Sequence, residues 1–337
     1  MGTYTLTGVN YADDEGGSSN LWVAAGLNGQ ISYSSDLSSW TEYQTPANTT
    51  VQNLSVTFGK DSSNQDLWLT TRWWDTTGEV STSSDPSTGG AGGWSIIDAG
   101  SLNSGNDAAY GNGVWVAIGK NSAVRSTDGG ANWSTVTVPS SGDTGSTNSR
   151  SSVATDGSGN WIIISNDNRK YEVYKSTDNG SSWTLSTSWG WDSSVGWYPK
   201  EVSYGNGVWV LATHDHKIRT CSSAGLATNS WGIAQDIGFT AWDVQYGTNS
   251  TWVAVGEGMR SWTSTNNGST WTVNTAMSGG GTQAMNVAFG NGTWVAVTDG
   301  TSNNILKSTD NGATWSVVNS SGQELRGIAF NSILPNT

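Results

Sequence analysis

Short apolar runs bounded by Gly, Asn, Ser and Thr recur along the chain: LWVAAG from Leu21, LWLTT from Leu67, VWVAIG from Val114, WIIIS from Trp161, VWVLAT from Val208, TWVAVG from Thr251 and TWVAVT from Thr293. Their tryptophans, Trp22, Trp68, Trp115, Trp161, Trp209, Trp252 and Trp294, are spaced by 46, 47, 46, 48, 43 and 42 residues, the length of one propeller blade. A second series, Trp40, Trp94, Trp133, Trp183, Trp231, Trp271 and Trp315, follows in the same phase. Helical periodicity is sustained nowhere, so the pattern predicts an all-β chain.

Each unit reads as four strands. The first ends on an aromatic and a turn, as at Tyr110 to Gly113, Tyr204 to Gly207 and Phe289 to Gly292. Asn-Gly between alternating segments predicts a type I′ hairpin, with positive φ at both central residues. The Trp-bearing strand is second, segments such as AVRSTD and ILKSTD are third, and the fourth opens with the later Trp. Sheets this short cannot bury both faces alone, but seven stacked radially can, with indoles filling the wedges between them. The expected fold is a seven-bladed β-propeller of four-stranded antiparallel blades. It forms one domain over 1–337, with blades near 3–48, 49–101, 102–147, 148–194, 195–238, 239–280 and 281–322. First-strand patterns occur eight times, since Leu6 to Ala12 and Leu325 to Asn331 both fit. Residues 323–337 are therefore expected either to close the ring or to pack as an extra strand.

The turn between third and fourth strands carries the most specific motif. It reads Ser126-Thr-Asp-Gly-Gly-Ala-Asn-Trp133, Ser176-Thr-Asp-Asn-Gly-Ser-Ser-Trp183 and Ser308-Thr-Asp-Asn-Gly-Ala-Thr-Trp315. Asp can accept N–H bonds within its own turn, Gly can supply positive φ, and the Trp pins the turn to the core. These residues resemble the Asp-box, S-x-D-x-G-x-x-W, of sialidases, sortilin-type receptors, some xyloglucan hydrolases and photosystem II assembly factors. The resemblance spans the chain and implies a propeller with Asp-box turns, not a particular reaction. The copies decay: Asn266 replaces the Asp in blade six, blade one is a residue short around Asp36, Gly89 to Gly93 lengthen blade two, and blade five has no Asp. Asp36, Asp85, Asp128, Asp178 and Asp310 are read as turn residues. Blades of the form WVAVG followed by Ser-Thr-Asp also resemble repeats of phage tail and capsid-appendage proteins.

Charge narrows the partners. Over 337 residues, 14 Lys plus Arg face 27 Asp plus Glu, a net charge of −13 with no basic block, so no nucleic-acid partner is expected. No apolar run reaches the roughly 18 residues of a spanning helix, so no membrane insertion is expected. The single cysteine, Cys221, permits no internal disulfide and no Cys-based metal site; neither cofactor nor metal is expected. The opening MGTYTLTGVNYADDEGG lacks the basic and apolar segments of a secretory signal. A chain made in the cytoplasm, rich in hydroxyl and amide side chains, is expected on a virion or cell surface, with an oligomeric assembly left open.

In a propeller, the loops joining second to third strands and those joining successive blades share the channel-mouth face, opposite the Asp-box turns. Five of the seven Trp outside the repeat fall there: Trp73 and Trp74 in blade two, and Trp189, Trp191 and Trp197 between blades four and five. Trp242 and Trp262 lie in strand patterns and read as packing residues. The five indoles, flanked by Arg72, Asp75, Asp192 and Tyr198, are either stacking platforms for a sugar or an apolar side chain, or a lid folded on itself. The two histidines, His214 and His216, flank Asp215 on the same face; an extended segment would point them the same way, but a metal needs further ligands. The candidate binding residues are thus Arg72, Trp73, Trp74, Trp189, Trp191, Trp197, Tyr198, His214 and His216, with no catalytic residue assigned.

Two functions stay open. One is a non-catalytic recognition or structural propeller that binds a glycan or a neighbouring structural protein. The other is a glycoside hydrolase, whose two carboxylates, about 5 to 10 Å apart, would come from Asp75, Asp107, Asp192, Glu201, Asp215, Glu257 and Asp299. Sialidase activity is not expected, because no Arg-Ile-Pro segment occurs and the first arginine is Arg72.

Overall fold

The computed structural model describes residues 21–45, 52–73, 77–88, 93–139, 149–167, 170–190 and 199–330. They form seven sheets, each of four antiparallel strands, arranged as a seven-bladed β-propeller with almost no helix. From blade two to blade seven the innermost strands are Gln52–Lys60, Gly105–Gly111, Ser149–Thr155, Pro199–Gly205, Ala241–Tyr246 and Ala284–Gly290. In blade one the order is Leu325–Phe330, Trp22–Gly26, Gln30–Ser34, Thr41–Gln44, so the carboxy-terminal copy closes the ring. Leu6 to Ala12 lies outside the described residues.

The two Trp series do different packing work. All seven second-strand indoles are buried, and in six blades an inner-strand aromatic leans on them, with ring centroids 4.7 Å apart at Tyr204 and Trp209 and 5.2 Å at Tyr246 and Trp252. Of the later series, Trp94, Trp183, Trp271 and Trp315 are buried, while Trp40, Trp133 and Trp231 are half-buried. Trp262 is buried at the joint of blades five and six.

The hairpins have positive φ at Asn112 and Gly113, Asn206 and Gly207, and Asn291 and Gly292, as type I′ turns require. The glycine before each Asn answers a different need. A Cβ on Gly205 would lie 2.1 Å from Tyr246, and one on Gly290 would lie 2.3 Å from Phe330. At these two the next blade's aromatic occupies the space that a side chain would need; at Gly111 it is Thr155, 2.6 Å away.

The turn before the fourth strand is a closed hydrogen-bond circuit. The hydroxyl of Ser176 donates to Asp178 at 2.7 Å and accepts from the Gly180 amide at 3.0 Å; Asp178 accepts from the Ser182 amide at 2.9 Å. The Trp183 indole N–H then donates to the Gly180 carbonyl at 3.1 Å. Blades three and seven repeat these bonds, and in blade six the neutral Asn266 takes the aspartate's place, accepting from the Thr270 amide. The circuit therefore works through oxygen acceptors and does not need the charge. Where blade five lacks the Asp, a short helix, Ser223–Ala227, fills the turn, capped by the Ser222 hydroxyl and anchored by buried Leu226.

Candidate binding face

The inner strands place the mouth residues by a shared irregularity. Six of them gain an extra residue near their start, at Arg326, Asn106, Ser151, Lys200, Trp242 and Met285, and Leu54 falls in the shifted stretch of the seventh. A bulge residue leaves the ladder and is re-aimed. Here Leu54, Trp242 and Met285, from blades two, six and seven, pack together across the ring, with half-buried Trp73 against them.

In four blades the side chain after the bulge ties one blade to the next. Asp107 accepts the Val153 amide at 2.8 Å and the Ser55 hydroxyl at 3.0 Å. Ser152 accepts the Val202 amide at 3.2 Å and donates to Glu201 at 2.9 Å. Asp243 accepts the Val287 amide at 2.7 Å, and Asn286 accepts the Ile328 amide at 2.9 Å. Complete burial pushes Asp243 up to about 7 despite the amides bonded to it.

Blade five contributes the charged part of the mouth. Lys200 is fully buried with its Nζ 3.8 Å from the centroid of the Trp242 ring, and burial pushes its ammonium down to about 7. Asp215 receives both guanidinium nitrogens of Arg219, at 2.9 and 2.6 Å, and the Thr213 hydroxyl. Although burial opposes it, these partners hold the carboxyl down at about 2. Arg219 lies 4.9 Å from the Trp189 ring, and Trp189 meets Trp231 edge-on at 6.5 Å.

The histidines sit in a tight turn rather than an extended segment, and His216 has φ 62. Burial, then the charge of Lys200, push His214 down to about 4. Arg72 is buried and paired with Glu79 at 2.6 Å. Trp74, Trp191, Trp197 and Tyr198, with Asp75 and Asp192, lie outside the described residues. Asp299 accepts the amides of Thr282 and Gln283 at 2.7 and 2.9 Å, while Glu257 is exposed. Among the described residues, no three His, Cys, Asp or Glu side chains gather as a metal site would need.

Lys200 and Arg219, the partner of Asp215, were not singled out from sequence as mouth residues. The available signal was Lys200 directly before the Glu-Val pair that aligns with Asp107-Ala108 and Asp243-Val244.

No family model matches the chain, and no curated protein does. Solved propellers do. YCF48 bound to D1 peptide aligns at TM-score 0.60 and 14% identity, over 94% of this chain and 89% of its own. The nidogen/laminin complex gives 0.53 and 11%, over 93% and 99%. The WD40 β-propeller domain of Doa1 gives 0.58 and 10%, over 91% and 96%. At these identities the likeness is one of fold alone.

Proposed function

We propose that the chain is a non-catalytic recognition propeller with Asp-box turns that engages a neighbouring protein through its channel-mouth face. The observation that carries this reading is the commitment of four of the seven candidate carboxylates. Asp107, Glu201, Asp215 and Asp299 each accept hydrogen bonds from their own scaffold, and the first two are fully buried. Glycoside hydrolysis needs a pair of accessible carboxylates, one of them able to give up a proton. Adhesion needs no such pair.

In this reading Trp74, Trp191, Trp197 and Tyr198 make the contact, and Trp73, Trp189, Arg72, His214 and His216 form its footing. The propellers it resembles include one bound to a peptide and one in a complex with laminin, which supports a protein partner over a glycan. The hydroxyl- and amide-rich composition and the repeat's likeness to phage appendage repeats support a place on a virion or cell surface. Trp191→Ala and Trp74→Ala, probed in pull-downs against particle or envelope proteins and on a glycan array, should lose protein capture with unchanged melting. Glycan turnover abolished by one Asp or Glu change on this face would refute the proposal.

A further inference from the structure

Two segments of this chain are built for one position. The innermost strand of blade one is Leu325–Phe330, and its slot makes particular demands. Leu325 and Ile328 are fully buried; Phe330 lies on Trp22 with centroids 4.7 Å apart. The most particular demand falls at Gly327, where a Cβ would meet the Leu54 carbonyl oxygen at 3.1 Å and the Val56 nitrogen at 3.2 Å. At the equivalent position the other blades carry Ser55, Asp107, Ser152, Glu201, Asp243 and Asn286. Glycine there is the mark of blade one.

The segment LTGVNYA, from Leu6, matches LRGIAFN, from Leu325, at each of these demands. Leu6 falls at Leu325, Gly8 at Gly327, Val9 at Ile328 and Tyr11 at Phe330, where other blades already seat Tyr110, Tyr204 and Tyr246. Chain length permits the exchange. Blade two joins Phe58 to Trp68 through nine residues, and ten separate Tyr11 from Trp22. The segment also stands where every other blade keeps its inner strand, directly before its Trp strand.

We propose that the inner slot of blade one accepts Leu6 to Ala12 as a second occupant, interchangeable with Leu325–Phe330. Closure by the carboxy-terminal copy joins points some 300 residues apart, whereas the amino-terminal copy closes a ten-residue hairpin at far lower entropic cost. The carboxy-terminal strand is the better fit once it arrives. Ile328 fills more of the core than Val9, and Ala329, almost fully buried, would be replaced by the amide of Asn10. The amino-terminal copy thus holds the edge of Trp22–Gly26 until the chain is complete, and takes it back whenever the carboxy-terminal strand leaves.

The test uses the full-length chain. Ile328→Asp puts a charge at a fully buried site and evicts Leu325–Phe330. Hydrogen exchange read by mass spectrometry should show a folded ring, protection lost at 325–330 and gained at 6–12 relative to the unaltered chain. Adding Gly8→Val should abolish the cooperative transition that Ile328→Asp alone retains, while Gly8→Val by itself shifts the melting temperature little. The proposal is overturned if Ile328→Asp alone unfolds the protein. It is equally overturned if 6–12 gains no protection, or if the double variant melts no lower than Ile328→Asp.

Discussion

Gly290→Ala separates a packing glycine from a turn glycine. The added methyl would lie 2.3 Å from two ring carbons of Phe330, which is itself buried and 4.7 Å from the Trp22 ring. Carbon atoms rest at about 3.5 to 4.0 Å, so the ring must retreat by roughly an ångström with Trp22 behind it. Overpacking of this kind costs about 1 to 3 kcal/mol, and the blocked retreat puts Gly290→Ala near about 3. Reduced freedom of the unfolded chain offsets up to about 1 kcal/mol, leaving a net loss of about 2. Gly292→Ala, with φ +72 and nothing within 4 Å, should lose only about 1 kcal/mol, from its left-handed backbone. Denaturant midpoints at constant m-value give both numbers. Phe330→Leu in the Gly290→Ala background should restore about 1 kcal/mol relative to the sum of the single changes. Equal losses at the two glycines, or strict additivity of the double variant, would refute the argument from packing.

Asp215→Ala should lose about 3 kcal/mol, because it strands the largely buried guanidinium of Arg219, and Asp215→Ala/Arg219→Met should recover most of it in the same melts. Titration should also register in stability. The folded-state values of His214 and Lys200, about 4 and about 7, lie below their ordinary 6.5 and 10.5, so the unfolded chain binds more protons in both windows. His214 therefore adds stability as pH rises from about 4 to 6.5 and Lys200 from about 7 to 10.5, while Asp243, raised from 3.8 to about 7, removes stability across the lower window and opposes His214 there; Lys200→Met should flatten the upper rise, and an unchanged slope would count against its burial. Asp178, held at about 2 against 3.8, acts with the same sign at the acid end: its contribution is full above 3.8 and is lost as pH falls through 2. Asp178→Asn should remove that acid-limb loss while keeping the turn, as Asn266 does in blade six.

The ring was legible because Trp and the Ser-Thr-Asp turn recur at the same place in blade after blade. Trp115 and Trp133, or Trp294 and Trp315, report blade number through spacing alone, and the hairpin Asn-Gly pairs announce their own backbone. The glycine ahead of each Asn was legible as a turn residue only, since its neighbour Tyr246 or Phe330 lies some 40 residues away in sequence. The mouth was harder still. Asp215 between two histidines looked like available chemistry, yet its partner Arg219 comes from the next strand and spends the carboxylate on structure. Trp189, an indole outside the repeat, is half-buried between Arg219 and Trp231, contacts that no spacing rule foretells.

The inner strand explains why the repeat is silent about what the mouth binds. At the position after the bulge, the next blade's backbone amide needs an acceptor, so Asp107, Ser152, Asp243 and Asn286 do the same work and polarity there is imposed. The bulge itself serves no ladder, and its residue is under no such demand. It is lysine in blade five, tryptophan in blade six, methionine in blade seven and leucine in blade two. That variable layer is itself buried, with Trp73 packed against Leu54, Trp242 and Met285. Acid–base chemistry at Asp107 or Asp243 would require opening the ring, since both side chains are fully buried. The chemistry of this layer is therefore set by positions that the acceptor requirement does not constrain.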